Sequence, residues 1–224
     1  MDIKVHITCV GYLVPLLVAL CKGAVMENLT NVAEKYVGMR NNTGEVISWG
    51  FDRYYIYWHQ TQQSKQGYPI YATTDDVKCT KNTSQGDEAQ TGGYYHKCDE
   101  HFSLFIQNGI ESPFRAYAYV DFPLFGERKN GIKDRKKVDL NNQTTIHVDI
   151  DLIGGTPYTQ QCEFETTVYY NGYFAYYVRK EAVEDHTYMP VSVKELANLS
   201  NNLSTYNNEL VYKVKGSYVQ TLCK

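Results

Sequence analysis

The sequence predicts a mainly β protein, a single antiparallel β-sandwich or barrel with one C-terminal helix. Three observations support this fold class. The chain of 224 residues contains 21 tyrosines, and tyrosine is a residue that strands favour. Apolar and polar residues alternate in several segments, as they do in a strand with one buried face. Asn171-Gly172 separates two aromatic-rich runs, and this dipeptide is the favoured tight turn of a β-hairpin.

Alternation predicts the individual strands. Residues 146–152 read Ile-His-Val-Asp-Ile-Asp-Leu, which puts four apolar side chains on one face. The same pattern predicts strands at residues 54–58, 102–106 and 116–122. A last pair of short strands is expected at residues 210–214 and 218–222, separated near Gly216.

The Asn171-Gly172 turn would also fix the register of its hairpin. A type I′ turn here places Tyr170 opposite Tyr173 and Val168 opposite Ala175. One face of the hairpin would then carry Phe164, Thr166, Val168, Tyr170, Tyr173, Ala175 and Tyr177.

Helical patterns are fewer. Residues 27–39 form one candidate helix and residues 193–206 form the second. In the second, Val193, Leu196, Leu199 and Leu203 are spaced to make an apolar stripe, which predicts a helix packed against the sheet. A β-sandwich and a lipocalin-type barrel both fit this pattern. The Gly-x-Trp signature that lipocalins often carry is absent, since Ser48-Trp49-Gly50 has the reverse order.

The N-terminus predicts secretion. Lys4 and His6 precede an uncharged apolar run at residues 7–20, and the small residues Gly23 and Ala24 follow it. We therefore expect residues 1–24 to be a cleaved signal peptide and residues 25–224 to be one secreted domain. No later segment is apolar over the length of a membrane span, so we expect no transmembrane segment. The net charge of -3 gives no reason to expect a nucleic-acid partner.

Six Asn-x-Ser/Thr sequons predict N-glycosylation on the secretory route. The asparagines are Asn28, Asn41, Asn82, Asn142, Asn198 and Asn202. Asn198 and Asn202 are only four positions apart, which would hinder occupancy of both.

The cysteine count agrees with an oxidising compartment. Four cysteines remain after the signal peptide, which predicts two disulfides. Three connectivities are compatible with the sequence. We expect Cys79–Cys98, which would close a polar loop, and Cys162–Cys223, which would join the last strand to a central one.

No catalytic motif stands out, and we expect neither an enzyme nor a cofactor. His96, Cys98 and His101 have spacing that suits a metal site or a thiolate nucleophile, but a disulfide at Cys98 removes both possibilities. His147, Asp149 and Asp151 share one strand face and would offer an imidazole and two carboxylates to a cation, but the solvated face of any half-buried strand shows the same pattern, and we favour that interpretation. Nucleophile elbows, phosphate-binding loops and paired zinc motifs are absent from the sequence.

A basic cluster lies within residues 127–137, and the pattern predicts a loop between strands. Its cations are Arg128, Lys129, Lys133, Arg135, Lys136 and Lys137. Such a loop would either bind a polyanion such as a sulfated glycosaminoglycan or simply keep a hairpin soluble.

The profile resembles the tick salivary immunosuppressant glycoproteins. The resemblance lies in the frame of Cys79, Cys98, Cys162 and Cys223, the sequons, and the aromatic segment at Asn171-Gly172. It implies a salivary protein that binds host proteins and suppresses T-lymphocyte proliferation, and it implies no role for any single residue.

Three functional hypotheses follow. The first is a secreted protein that binds an extracellular host protein and suppresses immune or inflammatory responses. The second is a lipocalin-like carrier that sequesters a small amine or lipid, and the third is an extracellular enzyme that uses residues 96–101.

Overall fold

The computed structural model describes residues 25–41, 45–59, 67–83, 100–122, 134–141, 144–148, 157–179 and 186–223. The predicted signal peptide lies outside these residues. Strands dominate the described chain, which confirms the mainly β class. The elements are β1 Val25–Asn28, α1 Leu29–Arg40, β2 Val46–Gly50, a 3₁₀ helix Ile56–His59, β3 Tyr71–Thr74, β4 Lys78–Thr83, β5 Glu100–Glu111, β6 Tyr117–Phe122, β7 Asp134–Asp139, β8 Thr144–Val148, β9 Pro157–Asn171, β10 Tyr173–Arg179, β11 His186–Ser192, a 3₁₀ helix Val193–Leu199, β12 Leu203–Tyr206 and β13 Glu209–Cys223.

The described strands form three open sheets and not a closed barrel. The large sheet has the strand order β1-β5-β13-β9-β3, with β8 beside β5, β12 beside β13 and β4 beside β9. The small sheet has the order β11-β10-β2, and β6 pairs with β7 in a separate two-stranded ribbon. Only β1 and β5 pair in parallel among the described ladders.

The last strand forms the centre of the large sheet. β13 pairs with β9 from Leu210 opposite Tyr170 to Cys223 opposite Pro157, and with β5 on its other side. The two predicted short strands are therefore one long strand. Gly216 lies within this strand. A Cβ at this position would collide with the Phe105 carbonyl oxygen and the Phe164 ring, which explains why the residue is glycine. The ladder to β5 shifts register at this point, so the glycine marks a bulge instead of a strand break.

Aromatic rings connect the large sheet to the small one. The Phe114 ring lies 6.2 Å from Tyr170 of β9 and 5.1 Å from Phe51, and Phe51 lies 5.6 Å from Phe174 of β10. The four side chains are buried. Offset and edge-on ring pairs at these distances stabilise a core beyond the area they bury, by roughly 0.5–1.5 kcal/mol each. These rings belong to one hydrophobic core that includes residues of both sheets.

Helix α1 covers one part of this core and confirms the helix predicted at residues 27–39. Leu29, Ala33 and Val37 lie on one side of the helix and are buried. The helix begins after Asn28, whose side-chain oxygen accepts a hydrogen bond of 2.9 Å from the Asn31 backbone N–H.

The helix predicted at residues 193–206 is mostly wrong. A 3₁₀ helix ends at Leu199, and β12 then pairs with β13. Val193 and Leu196 are buried, as the apolar stripe predicted, and Leu203 is also buried but lies on strand β12. Asn207 and Asn208 both have positive φ, 47° and 68°, and form the two-residue turn between β12 and β13.

The hairpin predicted at Asn171-Gly172 is also wrong. β9 pairs within the large sheet while β10 pairs within the small sheet, so the chain changes sheets at this dipeptide. Gly172 has a φ of 116°, and a Cβ there would lie 2.7 Å from the Pro69 carbonyl oxygen. Tyr170 and Tyr173 are consequently not cross-strand partners. The predicted face is correct only as far as Tyr170, because Phe164, Thr166, Val168 and Tyr170 are all buried.

Of the other strands predicted from the alternation of apolar and polar residues, some are confirmed and one is wrong. The strands predicted at residues 102–106 and 116–122 are confirmed, with Phe102, Leu104, Ala118 and Val120 buried. The strand predicted at residues 146–152 is confirmed as far as Val148, and the rest lies outside the described residues. The strand predicted at residues 54–58 is wrong. Asp52 accepts a 2.7 Å hydrogen bond from the Tyr54 backbone N–H, which starts a turn that continues into the first 3₁₀ helix.

The disulfide joins Cys79 of β4 to Cys162 of β9, with Cα atoms 5.7 Å apart. This corrects both expected pairings, Cys79–Cys98 and Cys162–Cys223. The reason is the strand order, because β4 pairs directly with β9 and brings the two cysteines together. Cys98 lies outside the described residues.

Buried tyrosines predict alkaline unfolding. Burial raises the pKa of Tyr218 to about 12 and that of Tyr212 to about 12, and it also raises the pKa of Tyr170. An unfolded tyrosine ionises near pH 10. Since the folded pKa is the higher one, these neutral phenols add stability that is complete below about pH 10 and is lost as the pH rises through the folded pKa.

We therefore expect unfolding and tyrosinate formation to coincide above about pH 10. Ultraviolet difference absorbance and circular dichroism in one titration would measure both. A Tyr218→Phe variant should begin to unfold at higher pH. Complete ionisation of the tyrosines with the native circular dichroism intact would contradict the prediction.

Candidate functional site

The ribbon formed by β6 and β7 carries the described part of the basic cluster. Arg135, Lys136 and Lys137 lie on β7, so this part of the predicted loop is a strand. Arg128, Lys129 and Lys133 lie outside the described residues. The predicted cations are therefore only partly placed, and the three that are placed share one strand.

The two faces of the ribbon differ sharply. On the inner face Ala118, Val120 and Val138 are buried. On the outer face, the register sets Tyr119 opposite Lys137 and Asp121 opposite Arg135. Opposite residues in an antiparallel pair project to the same side. The outer face consequently combines tyrosines with charges of both signs.

Each outer cation lies against a tyrosine ring. The Arg135 guanidinium carbon is 4.6 Å from the ring centroid of Tyr119, and the Lys137 ammonium nitrogen is 3.8 Å from that of Tyr117. The Arg115 guanidinium donates a 2.9 Å hydrogen bond to the Tyr117 hydroxyl. Cation–ring contacts of this kind contribute about 0.5–1 kcal/mol at exposed sites. They hold long side chains in defined positions and so lower the entropy that a bound partner would have to remove.

Among the described side chains of this face, the positive and negative charges nearly balance. Arg135 forms an ion pair with Asp76 from the segment that joins β3 to β4. Asp121 and Asp139 are the β6 and β7 carboxylates opposite Arg135 and Tyr117. A uniform polyanion would meet repulsion beside each attraction, whereas a protein surface with its own mixed charges could match the pattern. We call this outer face the cation–tyrosine ribbon.

The ribbon is fixed to the rest of the molecule through its backbone. The Thr74 hydroxyl donates a 2.6 Å hydrogen bond to the Tyr117 carbonyl oxygen, and the Val77 N–H donates one of 3.0 Å to the Tyr119 carbonyl oxygen. Within the ribbon, the Leu140 N–H donates a 2.9 Å hydrogen bond to the Ala116 carbonyl oxygen, which extends the pairing of β6 with β7 by one step. The side chains of the ribbon are therefore presented on a positioned backbone.

A second aromatic cluster lies on the small sheet. The Tyr188 ring contacts those of Tyr177, Tyr57 and Tyr55 at centroid distances of 4.6, 5.4 and 6.1 Å. The Tyr55 and Ser48 hydroxyls are 2.9 Å apart. Burial raises the pKa of Tyr55. Most of these rings are half-buried by one another, so packing accounts for them.

The sequons occupy different environments. Asn198 and Asn202 are exposed, and the Asn202 amide donates a 2.7 Å hydrogen bond to Glu27, the residue before Asn28. These three sequons therefore lie at one edge of the molecule. Asn41 accepts a 2.8 Å hydrogen bond from the Val46 N–H, Asn82 is on β4, and Asn142 lies outside the described residues. Glycosylation of all six stays a prediction.

Only two of the considered catalytic or metal-binding residues, His101 and His147, lie within the described part of the chain. His101 lies on β5 with its Nε2 atom 3.4 Å from the Thr221 hydroxyl, while His96 and Cys98 lie outside the described residues. His147 is on β8, and Asp149 and Asp151 are likewise outside. Within the described ranges, no three histidine, cysteine or acidic side chains converge as a metal would require. None of the helices described is both long and apolar enough to cross a membrane.

Neither a protein-family profile nor a curated protein matches this sequence. Among solved structures, a non-toxic crystal protein from Bacillus thuringiensis is similar, with 13% identity, a TM-score of 0.41 and coverage of 89% of this chain and 94% of that one. The Cry23Aa1 and Cry37Aa1 binary complex gives 12% identity, a TM-score of 0.42 and coverage of 90% and 86%. The Mpp75Aa1.1 β-pore-forming protein from Brevibacillus laterosporus gives 11% identity, a TM-score of 0.32 and coverage of 72% and 67%. Likenesses at these values assign neither a family nor a function to the chain.

Proposed function

We propose that this chain is a secreted glycoprotein that binds a host protein and suppresses an immune or inflammatory response. The observation that carries the proposal is the cation–tyrosine ribbon. Tyrosine and arginine are the residues in which protein-binding energy concentrates, because they combine a large contact area with directed polar groups. The balanced charges of the ribbon favour a protein partner over a uniform polyanion.

Secretion supports the same proposal. The signal-peptide pattern and the six sequons favour secretion. The Cys79–Cys162 disulfide agrees with them, because disulfides persist in oxidising compartments. One domain at residues 25–224, with the large and small sheets packed as a β-sandwich, is the architecture we propose. Its support is the chain of buried rings from Tyr170 through Phe114 and Phe51 to Phe174.

The test compares two matched pairs of side chains. Tyr119 and Arg135 form a cation–ring pair on the ribbon, and Tyr54 and Arg53 form one at 4.9 Å elsewhere on the surface. Tyr119 is 42% exposed and Tyr54 is 68% exposed, so neither change should unfold the protein. We expect the secreted protein to lower the proliferation of stimulated T lymphocytes, and the Tyr119→Ala/Arg135→Ala variant to need at least tenfold higher concentration, equivalent to about 1.4 kcal/mol.

The Arg53→Ala/Tyr54→Ala variant should keep the wild-type potency. A wild-type protein without effect on lymphocytes, or equal potency of the two variants, would refute the proposal. Loss of activity in the presence of soluble heparin would indicate a polyanion-binding surface instead.

A further inference from the structure

Four residues on four neighbouring strands of the large sheet form a single row. Tyr71 of β3 lies opposite Asn171 of β9, and Tyr206 of β12 lies opposite Glu209 of β13. Asn171 and Glu209 complete the row, because the Asn171 Nδ2 donates a 3.1 Å hydrogen bond to the Glu209 Oε1. Opposite side chains of an antiparallel ladder share a face, so all four project to the same side of the sheet. We call them the Tyr71–Tyr206 row.

The centre of the row is polar and ordered. The Asn171 Oδ1 accepts a 2.8 Å hydrogen bond from the Tyr68 hydroxyl while its Nδ2 binds Glu209. Both side chains are therefore fixed, and each retains donors or acceptors beyond those used. An amide and a carboxylate held together in this way suit vicinal hydroxyl groups of a ligand, because the amide can donate and accept hydrogen bonds and the carboxylate can accept them.

The ends of the row are aromatic and accessible. Tyr71 is 46% exposed and Tyr206 is 61% exposed. The ring of Tyr68, itself 45% exposed, lies 5.7 Å from that of Tyr71. Adjacent strands are separated by about 4.8 Å, so the Cα atoms of Tyr71 and Tyr206 lie roughly 14 Å apart across three such spacings. A ligand that lies across β9 and β13 would meet a ring at each end and hydrogen-bonding groups between them.

The backbone is also constrained at one end of the row and at its centre. Tyr206 precedes the Asn207-Asn208 turn, where the Lys194 ammonium group donates a 3.2 Å hydrogen bond to the Asn208 Oδ1. Asn171 precedes Gly172, whose carbonyl oxygen accepts a 3.0 Å hydrogen bond from the Val193 N–H. The row is thus assembled in the unliganded chain, which lowers the entropic cost of binding.

We propose that the Tyr71–Tyr206 row is a binding site for a neutral oligosaccharide. Sugar rings present apolar C–H faces that pack on tyrosine rings, and their hydroxyl groups hydrogen-bond to amides and carboxylates. The single charged member of the row is Glu209, and a carboxylate disfavours sulfated or phosphorylated ligands. This site uses none of the residues of the cation–tyrosine ribbon, so it stands independently of the proposed function.

The experiment uses the whole secreted protein and three neutral probes, mannotriose, chitotriose and N-acetyllactosamine. Saturation-transfer NMR should show magnetisation transfer from the protein to at least one of them. The Tyr206→Ala and Tyr71→Ala variants should each raise the Kd at least tenfold, while Tyr206→Phe, which keeps the ring, should stay within about threefold. Tyr119→Ala on the ribbon should bind as the wild type does.

Three results would overturn the site. The first is the absence of magnetisation transfer to all three probes at up to about 10 mM, a concentration at which even millimolar affinity is detected. The second is an unchanged Kd in both alanine variants. The third is binding of a sulfated heparin fragment that depends on Tyr206. Matching thermal unfolding curves for all variants would show that the changes act on binding. Lymphocyte suppression that survives in Tyr206→Ala but not in Tyr119→Ala/Arg135→Ala would separate this site from the proposed function.

Discussion

Replacing Cys79 and Cys162 together with alanine is expected to lower the free energy of unfolding by about 4.5 kcal/mol. The disulfide closes a loop with a sequence separation of 83 residues. Cross-linking such distant points removes much of the conformational entropy of the unfolded chain, and the gain grows with the logarithm of loop length. The bond also fixes β4 against β9, and β4 has no second neighbouring strand among the described residues.

Guanidinium denaturation of the variant and of the wild type would measure the difference in the free energy of unfolding. A Cys98→Ala/Cys223→Ala variant is the matched control, since it also removes two cysteines but leaves Cys79–Cys162 in place. Its non-reducing peptide map should contain the Cys79 and Cys162 peptides as one linked species. A wild-type map that links Cys79 to Cys98 would contradict the structure and the prediction with it.

The second large effect is expected from Gly172→Ala. Gly172 has a φ of 116°, and an added Cβ would lie 2.7 Å from the Pro69 carbonyl oxygen and 2.8 Å from the Ile70 Cα. Both neighbours are backbone atoms and cannot rotate away. Backbone strain of this kind costs about 1–3 kcal/mol before any steric overlap is added, so we expect a loss of about 3 kcal/mol or more.

Gly38→Ala is the control for this change. Gly38 lies in α1, and a Cβ there would meet nothing within 4 Å. Alanine stabilises a helix interior by about 1 kcal/mol relative to glycine, so this variant should unfold at a slightly higher temperature than the wild type. Gly172→Ala should instead lower the Tm by roughly 6–12 °C for a chain of this size. Equal Tm values for the two variants would show that a side chain is tolerated at position 172, where the chain passes from the large sheet to the small sheet.

The strands predicted by alternation illustrate what the sequence can establish. Phe102, Leu104 and Ile106 alternate with polar residues and are buried on β5, because periodicity reports directly which side chains leave water. The same reasoning failed at Tyr54, Ile56 and Trp58. There a local hydrogen bond from the Tyr54 N–H to Asp52 favours a turn, and aromatic residues alone do not distinguish a strand from a packed turn.

The sequence did not indicate which strands pair with one another. Asn171-Gly172 does mark a change in the path of the chain, but a glycine with positive φ serves a change of sheet as well as it serves a tight turn. The true two-residue turn is Asn207-Asn208, directly after the segment predicted as a helix. The end of that segment is a strand, because the apolar spacing of Leu199 and Leu203 also suits a 3₁₀ helix followed by a strand. The disulfide was misassigned for the same reason, since the pairing of β4 with β9 is set by long-range packing.

The candidate sites were only partly predictable. The sequence identified Arg135, Lys136 and Lys137 as a basic group but did not indicate that Arg135 and Lys137 contact tyrosine rings. Tyr117 and Tyr119 come from the preceding strand and meet these two cations only through the β6–β7 register. The Tyr71–Tyr206 row had no local signal. Its four members are brought together by three separate strand pairings and one side-chain hydrogen bond.

The central position of β13 has a consequence for biosynthesis. Residues 209–223 separate β5 from β9, so the middle of the large sheet cannot form before the ribosome has made this strand. Until then β5 and β9 expose apolar faces and unpaired edges to other nascent chains. Sheets joined by such distant segments fold slowly. The intermediate that precedes β13 would therefore have to stay soluble for a long interval, and the yield of folded protein should depend more on that interval than on the stability of the finished protein.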